Sequence, residues 1–221
     1  MGIAFLNGWG LLLKGGLMMW PIAVLSVMAI TIAVNKFMQV NAVEKGFSSL
    51  KIRFSQEIRG NNFKVAVQVC EEEGSFLGEV LKAGALKYGA SREALLAAME
   101  EKAAFGIHQL KQQMDLLALI TNVAPLLGLL GTVSGMAVVF HAVQMRANAL
   151  NPLALGDMSS GIWQALLTTV AGLMVGIVAL AAHSFCASRI NDLITRVDHY
   201  MKEIADLLQG MSTLESDPDG S

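Results

Sequence analysis

The sequence predicts an all-α integral membrane protein with three transmembrane helices, the second and third long and extending into a helical cytoplasmic region. Two observations carry that expectation. Apolar residues make up 54% of the 221-residue chain and charged residues only 15%, against roughly 25% charged in an average soluble domain. The charges are also unevenly spread, leaving three long runs with none at all. An ordinary water-soluble enzyme is excluded. A formal net charge of −2, from 16 basic and 18 acidic residues, leaves no electrostatic footprint for nucleic acid.

The elements follow in order. Residues 1–14 include IAFLNGWGLLL at 3–13, too short to cross a bilayer and expected to lie on its outer surface as an interfacial helix. Residues 15–35 form the first span, because the uncharged run GGLMMWPIAVLSVMAITIAV matches the roughly 20 residues a helix needs to traverse the hydrocarbon core. A cleaved signal peptide is disfavoured. The only nearby basic residue is Lys14, and no small-x-small site precedes Asn35 and Lys36.

Residues 36–115 turn polar, with apolar residues at helical spacing: Phe47, Leu50 and Phe54, then Val65 and Val69, Leu77 and Leu81, and Leu95, Leu96 and Met99. Amphipathic helices are expected there. Asn61 and Asn62, Gly74 with Ser75, and Gly89 through Ser91 mark the breaks, with Ser91 placed to cap. Glu71, Glu72 and Glu73 read as a solvated helix end, since consecutive carboxylates on a helix diverge. His108 has no neighbour at ligand spacing. Cys70 and Cys186 are far apart and read as small apolar residues, so neither disulfide nor metal is indicated.

The second span is placed at 116–145 with a cytoplasmic extension, a short outer loop at 146–157, and the third span at 158–188. A C-terminal helix and a disordered tail are expected over 189–221, the tail being MSTLESDPDGS from 211. Orientation comes from basic residues, which are retained on the cytoplasmic side. Eleven lie between Lys36 and Lys111 and three follow the third span, against Lys14 and Arg146 on the other side. The N-terminus is therefore expected outside and the C-terminus inside. Trp9, Trp20 and Trp163 then fall near the outer interface, where indoles are favoured.

Small and hydroxylated residues crowd the long spans. Gly131 and Gly135, like Gly172 and Gly176, form GxxxG pairs that permit close helix approach in lipid, and Gly128 adds to the same small-residue pattern. Pro125 removes one backbone hydrogen bond and should bend the second span. Counted from the outer ends, Thr132 is 14 residues from Arg146 and Thr169 is 12 from Asp157. At 1.5 Å per residue the mismatch is about 3 Å, so a helical hairpin puts these hydroxyls and Thr168 at one polar level, with Gln164 above. Membrane Ser and Thr also bond their own carbonyls and serve packing, and the residues alone leave both readings open. Neither long span contains Asp, Glu, Lys or Arg, so any carboxylate proton carrier must come from elsewhere. No nucleotide-hydrolysing or catalytic constellation is present, and no cofactor is expected.

The segment APLLGLLGTVSGM at 124–136, with Phe140 and GIWQALLTTVAGL at 161–173, resembles the MotA/TolQ/ExbB proton-channel family. GSFLGEVLKAG at 74–84 and the three-span layout extend the resemblance over nearly the whole chain, and the length favours the ExbB/TolQ-like branch over flagellar stators. The resemblance implies a homo-oligomer, a pentamer in the family, enclosing the single membrane helices of an ExbD/TolR-like partner that brings a proton-binding aspartate. It also implies a TonB/TolA-like protein as recipient of the motion. By motif, the family's two pore threonines fall on Thr132 and Thr169. Gln164 in GIWQAL stands where many members carry glutamate, and an amide cannot titrate near neutral pH.

Overall fold

The computed structural model describes residues 16–60, 62–147 and 155–216. The expected interfacial helix and Trp9 lie outside the described residues, as does most of the 146–157 loop. Among the described residues six helices occur in order: α1 (Met19–Arg59), α2 (Phe63–Glu73), α3 (Phe76–Ala85), α4 (Arg92–Lys111), α5 (Met114–Ala147) and α6 (Leu155–Ser216). No strand occurs among the described residues. Three of the helical stretches are long and apolar enough to cross a membrane. The chain divides into two compact units. An apolar one comprises the chain up to Asn35 with Gln113–Phe185, and a polar one comprises Lys36–Gln112 with residues from Cys186 on.

In the polar unit the helix boundaries follow local chemistry. Gly74 closes α2 with φ 55°, a left-handed conformation that glycine adopts without a Cβ penalty. Ser75 then starts α3 by accepting the Gly78 N–H at 3.2 Å, and Ser91 starts α4 by accepting the Ala94 N–H at 3.3 Å. One break was not expected. Between α4 and α5, Gln113 takes φ 72°, a conformation that disfavours a side-chain-bearing residue by roughly 1–2 kcal/mol. The second span is therefore separated from α4 by a turn rather than running straight into it.

Phe47, Leu50, Phe54 and Ile58 of α1 close over Leu77, Val80 and Leu81 of α3, Leu95 and Met99 of α4, and Leu193, Val197 and Tyr200 of α6. The helical periodicity thus lands where expected, with one exception. Val65 is 43% exposed and its neighbour Ala66 is fully buried, because α2 begins at Phe63 and presents Ala66, Val69 and Cys70 inward. Burial pushes the Cys70 thiol up to about 12, against a smaller opposing pull from Lys82. The ring of Phe47 meets Tyr200 edge-on, and the Tyr200 hydroxyl donates to the Lys51 carbonyl at 3.0 Å. Ion pairs tie the outer surfaces of the helices. Lys51 bonds Glu203 at 3.1 Å, Arg92 bonds Asp206 at 2.6 Å, and Glu44 takes Arg196 at 2.7 Å.

Lys36 is buried, and its ammonium donates to the Gln39 Oε1 at 2.9 Å and to the Leu110 carbonyl at 3.2 Å. That carbonyl is in the last turn of α4, where carbonyls lack intrahelical partners and the helix dipole favours a cation. The glutamate run behaves as a solvated end, Glu71 pairing with Lys82 and Glu72 with Arg53. His108 is exposed. Both cysteines are free and buried, and no metal-holding cluster occurs among the described residues.

α6 runs unbroken for 62 residues. It continues through Ser216, so the first six residues of the tail expected to be disordered are helical; residues 217–221 lie outside the described ones.

Candidate functional site

The site is the antiparallel seam of α5 and α6 in the apolar unit. Each step of three or four residues up α5 is matched by a step of three or four back along α6, and at every step at least one side is glycine. Pro125 faces Gly176, Gly128 faces Gly172, Gly131 faces Thr168, Gly135 faces Ala165, and Val139 faces Gly161. Without side chains at these positions the backbones come close. A Cβ on Gly172 would lie 2.5 Å from the Ala124 carbonyl oxygen and 3.0 Å from the Gly128 Cα. In lipid no water is expelled when helices meet, so this close packing and the hydrogen bonds it allows must supply the association energy. Pro125 lies within α5 without ending it. Its ring packs on Gly176, beside the Thr121 carbonyl that proline leaves without an i+4 donor.

The hydroxyls take up three distinct positions. Thr169, half-buried, donates across the seam to the Gly128 carbonyl at 2.8 Å. Thr168 is 2% exposed, donates to the Ala165 carbonyl at 2.6 Å and reaches toward the same Gly128 oxygen at 3.5 Å. The seam therefore gathers Thr168 and Thr169 at one carbonyl. Thr132 stays on its own helix, donating to the Leu129 carbonyl at 2.7 Å. The matched steps place Thr132 at the depth of this pair, but no bond joins it to either.

Gln164 is exposed, and its amide lies against Gly16, the residue with φ 72° just before α1. Gln164, Ser134, Gly135 and Thr168 line a cavity of about 300 Å³, closed on one side by Gly16, Leu17 and Met18. Ser134 and Gly16 were not singled out in the sequence. Only the folded seam turns Ser134 to the same cavity as Gln164. Trp20 and Trp163 are both more than half exposed, as interfacial indoles would be. So are Leu129, Val133 and Phe140 of α5 and Ile177 and Val178 of α6. Faces so apolar suit lipid or another membrane helix, not water.

The sequence pattern that defines the MotA/TolQ/ExbB proton channel family matches residues 68–199, which include the whole seam. This chain belongs to that family. It is 28% identical over 211 residues to the biopolymer transport protein exbB1 of Vibrio cholerae, covering 91% of this chain and 88% of the relative. It is 33% identical over 177 residues to an ExbB-like biopolymer transport protein of Synechocystis, covering 76% of this chain and 66% of the relative, just under two thirds. The Tol-Pal system protein TolQ of Haemophilus influenzae is 29% identical over 102 residues, 46% of this chain and 43% of that protein. The ExbB/TolQ-like branch is thereby established. The family is one of channel subunits rather than enzymes.

Proposed function

We propose that this chain is the pore-forming subunit of a pentameric, proton-motive-force-driven complex in a bacterial cytoplasmic membrane. Its N-terminus is periplasmic and its C-terminus cytoplasmic. An ExbD/TolR-like single-span partner supplies the proton-binding aspartate, and a TonB/TolA-like protein receives the resulting motion for outer-membrane transport or envelope maintenance. The observation that carries this reading is the hydroxyl level beside Gly128, in spans that hold no Asp, Glu, Lys or Arg of their own.

The hydrogen bonds suggest how charge selects position. The hydroxyl protons of Thr132, Thr168 and Thr169 are all committed to backbone carbonyls, so what remains on each oxygen is acceptor capacity. A protonated carboxyl has an O–H to donate and is accommodated at this level. An ionised carboxylate can only accept, and finds no free donor among the three. Desolvation of the unpaired carboxylate costs several kcal/mol and acts in the same direction. Proton binding from the outer side thus brings the partner's carboxyl to the threonines, and proton loss expels it. Gln164 and Ser134, lining the cavity within about one turn of the threonines toward the outer side, supply neutral hydrogen-bonding groups on the approach.

The test is Thr132→Ala combined with Thr169→Ala, assayed with the partner for proton-dependent energisation. Loss of energisation with assembly intact is expected, and unchanged energisation refutes the level. Gln164→Leu should impair function while Gln164→Glu is tolerated; equal activity of the leucine variant removes Gln164 from the pathway. Proton flux into liposomes with and without the partner separates this reading from a non-conducting scaffold, which the neutral spans would also suit. A sodium gradient that alone sustains activity would instead mark a sodium-driven, flagellar-like motor.

A further inference from the structure

The polar unit carries two exposed helix faces whose charges are opposite and whose levels match. Opposite its core, α1 presents Lys45, Ser49 and Ile52, with Ile52 60% exposed. Opposite its own core, α4 presents Ala94, Ala97 and Glu101, all exposed. Neither Lys45 nor Glu101 makes a hydrogen bond or ion pair with any described residue.

The two helices run antiparallel in step, fixed at both ends. At one end Lys36 of α1 bonds the Leu110 carbonyl of α4. At the other, Arg92 of α4 bonds Asp206 of α6, one turn beyond the Glu203 that pairs with Lys51 of α1. Counting from the Lys36–Leu110 tie, Lys45 is nine residues along α1 and Glu101 is nine residues back along α4. Both therefore lie about 14 Å from it at 1.5 Å per residue. Ser49 falls level with Ala97, and Ile52 with Ala94, by the same count. A cation faces the level of an anion, and a large apolar side chain faces the level of a small one.

We infer that in the assembled ring the α1 face of one copy docks on the α4 face of the next, Lys45 meeting Glu101 and Ile52 seating on Ala94. This rests on the homo-oligomer proposed above and names the surfaces that join its copies. Copies related by rotation about an axis along these helices keep every residue at its own level, so level-matched faces meet without sliding. The contact is heterologous, one patch against a different patch, which is the kind that closes into rings. An exposed ion pair contributes little by itself. Its work is register and partner choice, with Ile52 and the alanines supplying the apolar contact.

Oxidative cross-linking of the full-length protein in membranes tests the docking with Lys45→Cys and Glu101→Cys, Cys70 and Cys186 being buried. The double variant should give a ladder of covalent multimers, and each single variant none. Mixing the two single variants should give dimers only. A double variant that cross-links within one chain, or gives no ladder while native mass still reports an oligomer, overturns the docking and leaves the ring standing. A monomeric native mass overturns both. Charge reversal is the second reading: Lys45→Glu and Glu101→Lys each lose ring assembly, and the reversed pair together regains it. Failure of the pair to regain it, with both single variants folded, counts against the contact.

Discussion

The two units are built from the same α-helix and held by opposite means. In the polar unit large side chains interlock, and the fully buried ones include Phe54, Ile58, Leu77, Leu81, Leu95 and Met99. In the apolar unit the seam is lined by Gly128, Gly131, Gly135, Gly172 and Gly176, which meet backbone and a few compact side chains such as Pro125, Ala165 and Thr168, with hydroxyls bonded to carbonyls. Its buried cluster is small and rich in alanine: Ala29, Ala124 and Ala179 with Ile32, Leu117 and Ile120. Solvent explains the contrast. Water drives large apolar surfaces together, whereas lipid is indifferent to them and rewards only what brings backbones and polar groups into close contact. The same substitution should therefore have opposite consequences in the two units.

Three predictions exploit that difference. The largest effect is expected in the polar unit on removing bulk. Leu81→Ala should cost about 2–5 kcal/mol, the range for a buried leucine whose site cannot collapse, and hydrogen exchange should show α1, α3 and α4 opening while the α5–α6 seam stays protected. Uniform protection would mean that Leu81 is not part of the core that holds this unit.

A smaller effect is expected in the apolar unit on adding bulk. Gly172→Ala drives a methyl into the Ala124 carbonyl and should cost about 1–3 kcal/mol, as overpacking does. Gly210→Ala meets nothing within 4 Å and should leave the melting temperature in detergent unchanged or raised, by the helix propensity of alanine. Equal behaviour of the two variants would sink the close-packed seam.

The third, which vanishes at neutral pH, concerns Cys70. Its thiol is held neutral by burial, with its pKa raised from 9.0 to about 12. The unfolded thiol ionises first as pH rises, so the folded state holds the extra proton, and its stabilising contribution is complete below about pH 9. It is lost between about pH 9 and 12 at up to ~1.4 kcal/mol per pH unit. Cys70→Ala should flatten the alkaline fall in stability relative to the natural chain, by an amount that unfolding curves at pH 8 and 10.5 would read. An unchanged slope would show that the thiol is not what titrates.

Much of this was legible in the primary structure because it depends on pattern. Three uncharged runs long enough for a bilayer, helical spacing at Phe47, Leu50 and Phe54, and the capping serine at 91 each follow from local chemistry, and each appears as expected. The apolar face of α2 was read one residue off, at Val65 instead of Ala66, because the eleven-residue helix is too short for periodicity to fix its phase. The turn at Gln112 and Gln113 carried no glycine or proline to announce it. For the threonines, arithmetic along the helices gave depth but not direction. Depth follows from a fixed rise per residue, and it puts Thr132 level with Thr168 and Thr169. Which carbonyl each hydroxyl reaches depends on the rotation of one helix against the other.

The chain's order of residues thus determined the number of apolar helices, the glycine-lined pairing of the last two and the absence of any Asp, Glu, Lys or Arg within the long spans, because these are properties of composition and periodicity. Only the tertiary structure decided that Thr168 and Thr169 converge on Gly128 while Thr132 does not, that Gln164 rests on Gly16 beside Ser134, and that Lys36 caps α4 from 74 residues away. Each of those joins groups distant in sequence, and their meeting is set by packing rather than by any local preference.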